Sequence, residues 1–491
     1  MQLYDKDLLS VQEVRELVEK AKAAQEELSQ KSQAEVDAIV KSIAYAGVRN
    51  AKRLAKLAHE ETGFGIEADK VIKNIFGSRD VYEHIKDMKT IGELGYDEEK
   101  KVRTIAVPVG VIAGLIPSTN PTSTAFYKSE ISIKAGNAIV FSPHPNARNC
   151  ILEAVKGIRQ AIAEAGGNEN LVSCITIPTI QATDNLMKHP DVALILATGG
   201  SAMVRAAYSS GTPAIGVGPG NGPAYIEKTA DLPLAVKRIM DSKTFDNGTI
   251  CASEQSVVCD KDMEDAVRAE MEKQGAYFLT DEQIAKLGKF ILRANGTMNP
   301  MIVGKSAQVI ADLAGIDIPA GTKVLVAKET GIGRGHPYSN EKLAPILAFY
   351  TADDYKEICR LVQDILHYEG AGHTFSMHTK DPEMVNYFAM RVPASRIIVN
   401  TPSALGGIGG TTGLMPALTL GCGAIGGSAT SENVGPMNLL NKRHVAEGLL
   451  ELDEIKAGLP TCTDGMCSGP KAEDVDIDAV VNEIVKRLRS M

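Results

Sequence analysis

The chain has 491 residues, 44% of them hydrophobic and 23% charged, with a formal net charge of −9 and no tryptophan. That composition describes a globular protein of about two or three domains, and its acidic balance leaves no basic stripe to neutralise nucleic-acid phosphates. The opening residues lack the charged-then-apolar pattern of a secretory signal, no apolar run reaches the ~18 residues that suggest a membrane span, and eight scattered cysteines make no disulfide framework, so a soluble intracellular protein is expected.

From Ser10 to about His59 the pattern is helical: Val11, Val14, Leu17 and Val18 recur at helical spacing, as do Val36, Val40, Ile43 and Ala44. A third helical stretch, Asp69 to Ile85, follows a turn at Gly63 and Gly65. Residues 90–102 read as a connection into a strand over 102–107. From Val109 apolar runs alternate with helices: a run at 109–117, a helix over 121–133, a strand over 138–142, a helix over 147–165, a strand over 171–177, a helix over 181–188 and a strand over 192–197. This alternation predicts a parallel sheet covered by helices, a Rossmann-like α/β unit with its ligand edge at the strand C-termini. The runs 213–217 and 224–226 lead out of it. A second α/β unit then begins near Lys228, with helices at 231–241, partly at 253–256, at 262–274 and at 281–291, and strands near 256–259, 301–303, 323–327, 346–350 and 393–401. Residues 403–436 are rich in Gly, Ser and Thr, 456–473 are linker-like, and 474–491 place Ile477, Val480, Val481, Ile484, Val485 and Leu488 on one helical stripe.

The segment 244–256, T-F-D-N-G-T-I-C-A-S-E-Q-S, carries a single cysteine, Cys251. A thiol is the side chain best able to add to a carbonyl near neutral pH. Gly248 would let the backbone approach a ligand, while Ala252 and Ser253 leave room beside the sulfur. A lone cysteine is more often an inert core residue. The loop L-I-P-S-T-N-P-T-S at 115–123 sets Ser118, Thr119 and Asn120 just past a strand end. The amide of Asn120 could donate to an oxyanion, or Asn120 could simply turn the chain before Pro121. A Gly-Gly pair in A-T-G-G-S-A-M-V, 197–204, lies between strand and helix, where a dinucleotide can approach the helix N-terminus.

The 244–256 loop resembles the nucleophile loop of CoA-acylating aldehyde dehydrogenases, including the aldehyde dehydrogenase half of bifunctional aldehyde-alcohol dehydrogenases, and the resemblance runs to about Lys442. It implies an aldehyde dehydrogenase fold. Residues 1–227 would be an NAD-binding domain interrupted by an arm strand near 97–107, 228–430 a catalytic domain, and 431–455 an oligomerisation arm. By the same resemblance Cys251 is the nucleophile and Asn120 the oxyanion donor, and the nicotinamide cofactor meets Leu115, Ile116, Pro117, Ser118, Thr119, Gly200, Gly218, Glu341 and Leu420. Glu341 would hold the nicotinamide ribose, although a first-turn carboxylate facing a helix dipole is the plain alternative.

Two departures from hydrolytic relatives bear on the reaction. Where those enzymes carry a water-activating Glu in E-L-G-G, this chain reads A-I-G-V-G-P-G-N-G-P, 214–223, with no carboxylate. Such a base contributes about 10²–10⁴-fold, so the thiol of CoA is expected to take the acyl group. The implied reaction is aldehyde + CoA + NAD to acyl-CoA + NADH, on a short-chain aldehyde such as acetaldehyde or propionaldehyde. S-P-H-P at 142–145 stands where a Lys and a Glu would meet the adenosine ribose, which leaves NAD and NADP both open. Glu254 reads as structural rather than as a proton relay. The tail resembles the peptides that direct cargo enzymes into bacterial microcompartments, but it would equally suit a helix packed on its own subunit or a neighbour. Cys462 and Cys467 are too few for a structural zinc site, and no metal is expected. The rival readings are a hydrolytic or acyl-phosphate-reducing enzyme of the same fold, and a non-catalytic microcompartment cargo adaptor.

Overall fold

The computed structural model describes residues 5–457. The 458–473 part of the linker and the tail helix 474–491 therefore lie outside the described residues, as do Cys462 and Cys467. The chain forms two compact units, one of Met1–Gly92 with Ala106–Lys442 and a smaller one of Glu93–Ile105 with the chain from Arg443.

Two strands come first, β1 (Gly92–Asp97) and β2 (Val102–Pro108). Five more follow: β3 (Val111–Ile116), β4 (Ala138–Pro143), β5 (Val172–Cys174), β6 (Val192–Thr198) and β7 (Ala214–Val217). They form one parallel sheet in the order β5-β4-β3-β6-β7. Its order reverses between β3 and β6, and a doubly wound sheet opens its ligand crevice at the C-terminal ends of such a pair. A second sheet takes β8 (Gly222–Ile226), β9 (Glu254–Asp260), β10 (Ala276–Phe278), β11 (Val324–Lys328), β12 (Ile346–Ala352), β13 (Gly372–His378) and β14 (Ala394–Val399) in the order β10-β11-β12-β9-β8-β13-β14, also parallel. Last, β15 (Leu440–Ala446) joins β1 and β2 in a three-stranded sheet.

Local chemistry fixes the first layer. Ser32 and Glu35 form a capping box at the start of the helix Gln33–Thr62, which ends at Gly63 with φ 65°. Such a cap contributes about 1 kcal/mol. Val36, Ile39, Val40 and Ile43 form its buried stripe. The helix Pro121–Lys134 is buried along its whole length, although it carries Lys128, Glu130 and Lys134. Among the described residues neither Glu130 carboxyl oxygen has a hydrogen-bond partner, and burial pushes that carboxyl well up. The two lysines find specific partners: Lys134 Nζ bonds Asp37 Oδ1 at 2.5 Å and the Lys86 carbonyl at 2.8 Å. Lys128 Nζ donates to the carbonyls of Leu115 and Leu196, at 2.7 and 2.8 Å, and so ties β3 to β6 beneath the crevice.

Several expected elements differ. Strand β8 hydrogen-bonds within the second sheet, so the change of sheet falls at 218–221 rather than at residue 227. Residues 253–256 are not helical; Glu254 opens β9, whose polar start is buried because it faces protein on both sides. Residues 301–303 are not a strand, since Pro300 starts a 3-10 turn, Pro300–Ile302. Residues 90–102 contain strand β1 as well as a connection. The third helix is broken by a π turn, Phe76–Asp80, between Glu67–Ile75 and Val81–Ile85.

Candidate active site

Cys251 stands three residues before β9, so it lies at the N-terminal edge of the second sheet, whereas the crevice of the first sheet lies at strand C-termini. Ahead of it the backbone makes three successive left-handed steps, Asp246 (φ 48°), Asn247 (φ 53°) and Gly248 (φ 74°). Asp and Asn accept this conformation better than most side chains, and glycine accepts it freely. Gly248 does not serve close approach to a ligand as expected: a Cβ there would crowd the main chain of Ala344 and Lys243.

The left-handed steps turn the Asp246 carboxylate inward, onto a buried cluster. Lys70 and Lys73 are 3% and 2% exposed. Lys73 Nζ donates to Asp246 Oδ2 at 2.5 Å, to Asn120 Oδ1 at 2.6 Å and to Thr249 Oγ1 at 2.9 Å. Lys70 Nζ donates to Asp246 Oδ2 at 3.0 Å and to the Thr119 carbonyl at 3.3 Å. Asp246 Oδ1 accepts the Ile66 N–H at 2.6 Å, while its own N–H donates to Asp69 Oδ2 at 2.8 Å. Removing one partner of a buried ion pair costs about 3–5 kcal/mol, so this cluster holds the Cys251 loop firmly.

Asn120 precedes the helix Pro121–Lys134, yet its side chain makes no capping bond there. Nδ2 instead donates to Thr119 Oγ1 at 3.2 Å and to the Thr249 carbonyl at 3.3 Å. The structure thus brings Asn120 to the cysteine loop across 129 residues of sequence.

Cys251 is half-buried, and burial, then the nearby Glu341, push its thiol up to about 12. The resting sulfur is therefore protonated. Gly220, in the carboxylate-free segment, is wedged beside it: a Cβ there would overlap the Cys251 carbonyl oxygen and press on Cε1 of His373. His373 is fully buried at the start of β13. Burial, then the Arg396 guanidinium, hold its imidazole down at about 3, so it rests neutral. Its Nδ1 pairs with Thr374 Oγ1 at 2.9 Å, and among the described residues Nε2 has no hydrogen-bond partner. Arg396 donates to the His373 carbonyl at 2.9 Å and the Gly421 carbonyl at 2.6 Å.

Glu341 is not in a helix. It follows the 3-10 turn Pro337–Ser339, its Oε1 accepts the Gly220 N–H at 2.9 Å, and its own N–H donates to Glu369 Oε2 at 2.7 Å. Burial, then Glu369, push its carboxyl up to about 8, so it is mostly protonated at neutral pH. Glu254 Oε1 accepts the Ser403 N–H at 3.0 Å, a bond that ties β9 to a neighbouring short helix.

The other expected positions divide into two groups. Pro117, Ser118 and Thr119 are half-buried just past β3, Gly218 is half-buried with open space where a Cβ would project, and Gly200 is exposed at the N-cap of the helix Ser201–Tyr208 with open space around it. These suit a ligand that approaches backbone. Leu115 and Ile116 are buried strand residues whose carbonyls already accept from Lys128 Nζ and the His144 N–H. Leu420 is buried and bridges to Asn433. Pro145 opens a 3-10 turn, and the Ser142 hydroxyl is engaged with Thr183 at 2.8 Å.

Sequence reasoning missed Lys70, Lys73, His373 and Arg396. The lysines sit three apart on a short helix, as solvated lysines often do, and only the distant Asp246 makes them cluster residues. His373 lies 122 positions beyond Cys251, although its place in G-A-G-H-T, with polar residues inside an otherwise strand-like stretch, was a usable signal.

The aldehyde dehydrogenase family model matches residues 3–411. The bifunctional aldehyde-alcohol dehydrogenase of Escherichia coli (strain K12) is 46% identical over 443 residues, 89% of this chain and 50% of that protein, so the chain spans about half the length of this relative. The crystal structure of an acetylating aldehyde dehydrogenase from Geobacillus thermoglucosidasius is 51% identical with a TM-score of 0.90, covering 92% of this chain and 99% of that one. The propionaldehyde dehydrogenase of Rhodopseudomonas palustris, solved with bound CoA and an acylated cysteine, is 28% identical with a TM-score of 0.80, covering 88% and 97%. The chain belongs to the aldehyde dehydrogenase family.

Proposed function

We propose that the protein is a CoA-acylating aldehyde dehydrogenase that converts a short-chain aldehyde, CoA and NAD to acyl-CoA and NADH through a thioester on Cys251. The observation that carries this reading is that Asn120 bonds the Cys251 loop at Thr249, while Cys251 and a neutral His373 both flank Gly220 of the carboxylate-free segment, 214–223. Its acetylating and CoA-bound neighbours support it.

The Cys251 sulfur adds to the aldehyde carbon, and its proton passes to the free Nε2 of His373. As a thiolate–imidazolium pair, each charge offsets the desolvation that keeps the other group neutral at rest. The oxygen that becomes anionic would be met by the Cys251 N–H and by Asn120 Nδ2, which would give up its long bond to the Thr249 carbonyl, 3.3 Å at rest. A bound nicotinamide supplies the hydride acceptor. Collapse of the hemithioacetal expels that hydride and leaves the thioester. The imidazolium loses that proton to solvent, the one proton released overall. The CoA thiol then gives its proton to the neutral His373 and attacks the acyl carbon, and the expelled Cys251 thiolate takes the proton back from the imidazolium. The half-buried residues 117–120 and 218–219, with the exposed N-terminus of Ser201–Tyr208, would hold the cofactor, and Glu341 would meet its ribose. NAD rather than NADP rests on resemblance alone. Self-association through the β1-β2-β15 sheet is part of the same reading, because β15 is exposed along nearly its whole length and apolar Val445 and Leu449 lie on its edge and exit.

The covalent step can be isolated. Incubated with propionaldehyde and NAD but without CoA, the protein should gain one propionyl mass on the peptide containing Cys251, and added CoA should remove it. An acyl group on another cysteine, or none at all, would refute the assignment.

A further inference from the structure

Lys73 is buried with no role in the chemistry above, and its geometry is unusually complete. An ammonium has three donors, and here all three are used: on Asn120 Oδ1 at 2.6 Å, Asp246 Oδ2 at 2.5 Å and Thr249 Oγ1 at 2.9 Å. An asparagine amide presents an oxygen on one side and an NH₂ on the other, and the two orientations differ completely in what they offer an oxyanion. With Oδ1 claimed by a lysine, which has donors and no acceptor, only one orientation is available. Nδ2 must then face the nucleophile loop, where it reaches the Thr249 carbonyl at 3.3 Å. A flipped amide would set a lone pair against the developing charge.

We propose that Lys73 is the positioning residue for Asn120, locking the orientation of its amide and strengthening its N–H donors by placing a positive charge on the amide oxygen. The inference rests on the reading of Asn120 as the oxyanion donor. Polarisation follows from elementary electrostatics: charge-assisted hydrogen bonds are about twice as strong as neutral ones, and a donor whose other end is held by a cation becomes a better donor in turn. Asp246 completes the device. It accepts from both Lys73 and Lys70, and with Asp69 it balances the two lysine charges so that they can stay buried. The groups facing Lys73 are these three charged residues, together with Thr249, Asn120 and the Phe245 ring, whose centroid is 5.8 Å from Nζ. Lys70 grips the Thr119 carbonyl immediately before Asn120, so the backbone and side chain of the same turn are held by adjacent lysines of one helix.

The arrangement also gives a pH signature. Burial, opposed by Asp246, brings Lys73 down to about 8. Below that the lysine is charged and polarises the amide; as pH rises through it the charge is lost, and acylation should slow on the alkaline side.

The test is single-turnover NADH formation with saturating propionaldehyde and NAD, without CoA, for wild type, Lys73→Met, Lys73→Gln, Asn120→Ala and the Lys73→Met/Asn120→Ala pair, with thermal melts alongside. Loss of the donor itself should slow the burst about 10²–10³-fold in Asn120→Ala. Lys73→Met should slow it by about ten- to a hundredfold, short of losing the donor, with the aldehyde KM little changed. The double variant should be no slower than Asn120→Ala, since both changes remove the same interaction. Lys73→Gln, which can donate to the amide without charge, should recover part of the rate and lack the alkaline fall near pH 8; it also carries the comparison if the Met variant does not fold. A wild-type burst in Lys73→Met or Lys73→Gln, or a double variant in which the two losses multiply, would overturn the role of Lys73 while leaving Asn120 in place. An undiminished burst in Asn120→Ala would instead remove the oxyanion reading itself.

Discussion

Replacing Cys251 with alanine should abolish NADH formation from short-chain aldehydes, a loss of about 10⁴-fold or more, as for other enzymes deprived of their covalent nucleophile. The fold should survive. The loop is held by Asp246, Thr249 and the lysines beneath it rather than by the half-buried sulfur, and alanine fits wherever cysteine does. Cysteine 359 provides the contrast: it is buried in the core between the second sheet and its helices, and Cys359→Ala should lower stability while leaving activity near that of the wild type. A Cys251→Ala enzyme with more than a trace of turnover would mean that no thioester forms.

Replacing His373 with alanine should have the second-largest effect, about 10²–10⁴-fold on the CoA-dependent rate, the usual contribution of a general base. The thiol is pushed up to about 12 and the imidazole down to about 3, so both rest neutral in a site too dry to ionise either alone. Only a partner that can take the proton makes the sulfur nucleophilic, and Nε2 of His373 is buried, unpaired and beside the same glycine as Cys251. His373→Asn, which keeps hydrogen bonding but cannot carry the proton at neutral pH, should be nearly as slow. Steady-state assays at several CoA concentrations would show the loss in kcat. An unchanged rate in both variants would transfer the base role elsewhere, with Glu341, whose charge helps raise the Cys251 thiol, the next candidate.

The parts of the fold that were legible in the sequence were those with strong periodicity. The alternation from 109 to 217 became β3 to β7 with their helices, because parallel strands buried on both faces read as short apolar runs. The stretch 355–378 was harder, although the strand expected at 393–401 matches β14. Strand β13 is G-H-T-F-S-M-H, fully buried yet mostly polar, and it does not announce itself by hydrophobicity. Helix Tyr355–Tyr368 precedes it and was likewise unread. At 301–303 a short apolar run after a proline could be strand or turn, and the proline won. Cys251 and Asn120 could be singled out because each sits in a short motif that resembles a known family's. Lys73 could not: it reaches Asp246 across 173 positions and Asn120 across 47. A lysine three residues from another on a helix carries no local sign that its charge will be matched by a left-handed aspartate in another part of the chain.

The central claim is that the acyl group leaves on CoA rather than on water, and it is tested most directly by following NADH absorbance with propionaldehyde and NAD, with and without CoA. The account predicts no more than a single turnover in the absence of CoA and sustained turnover in its presence. Steady NADH formation without CoA would contradict it, because water would then be resolving the thioester despite the absence of a carboxylate from segment 214–223.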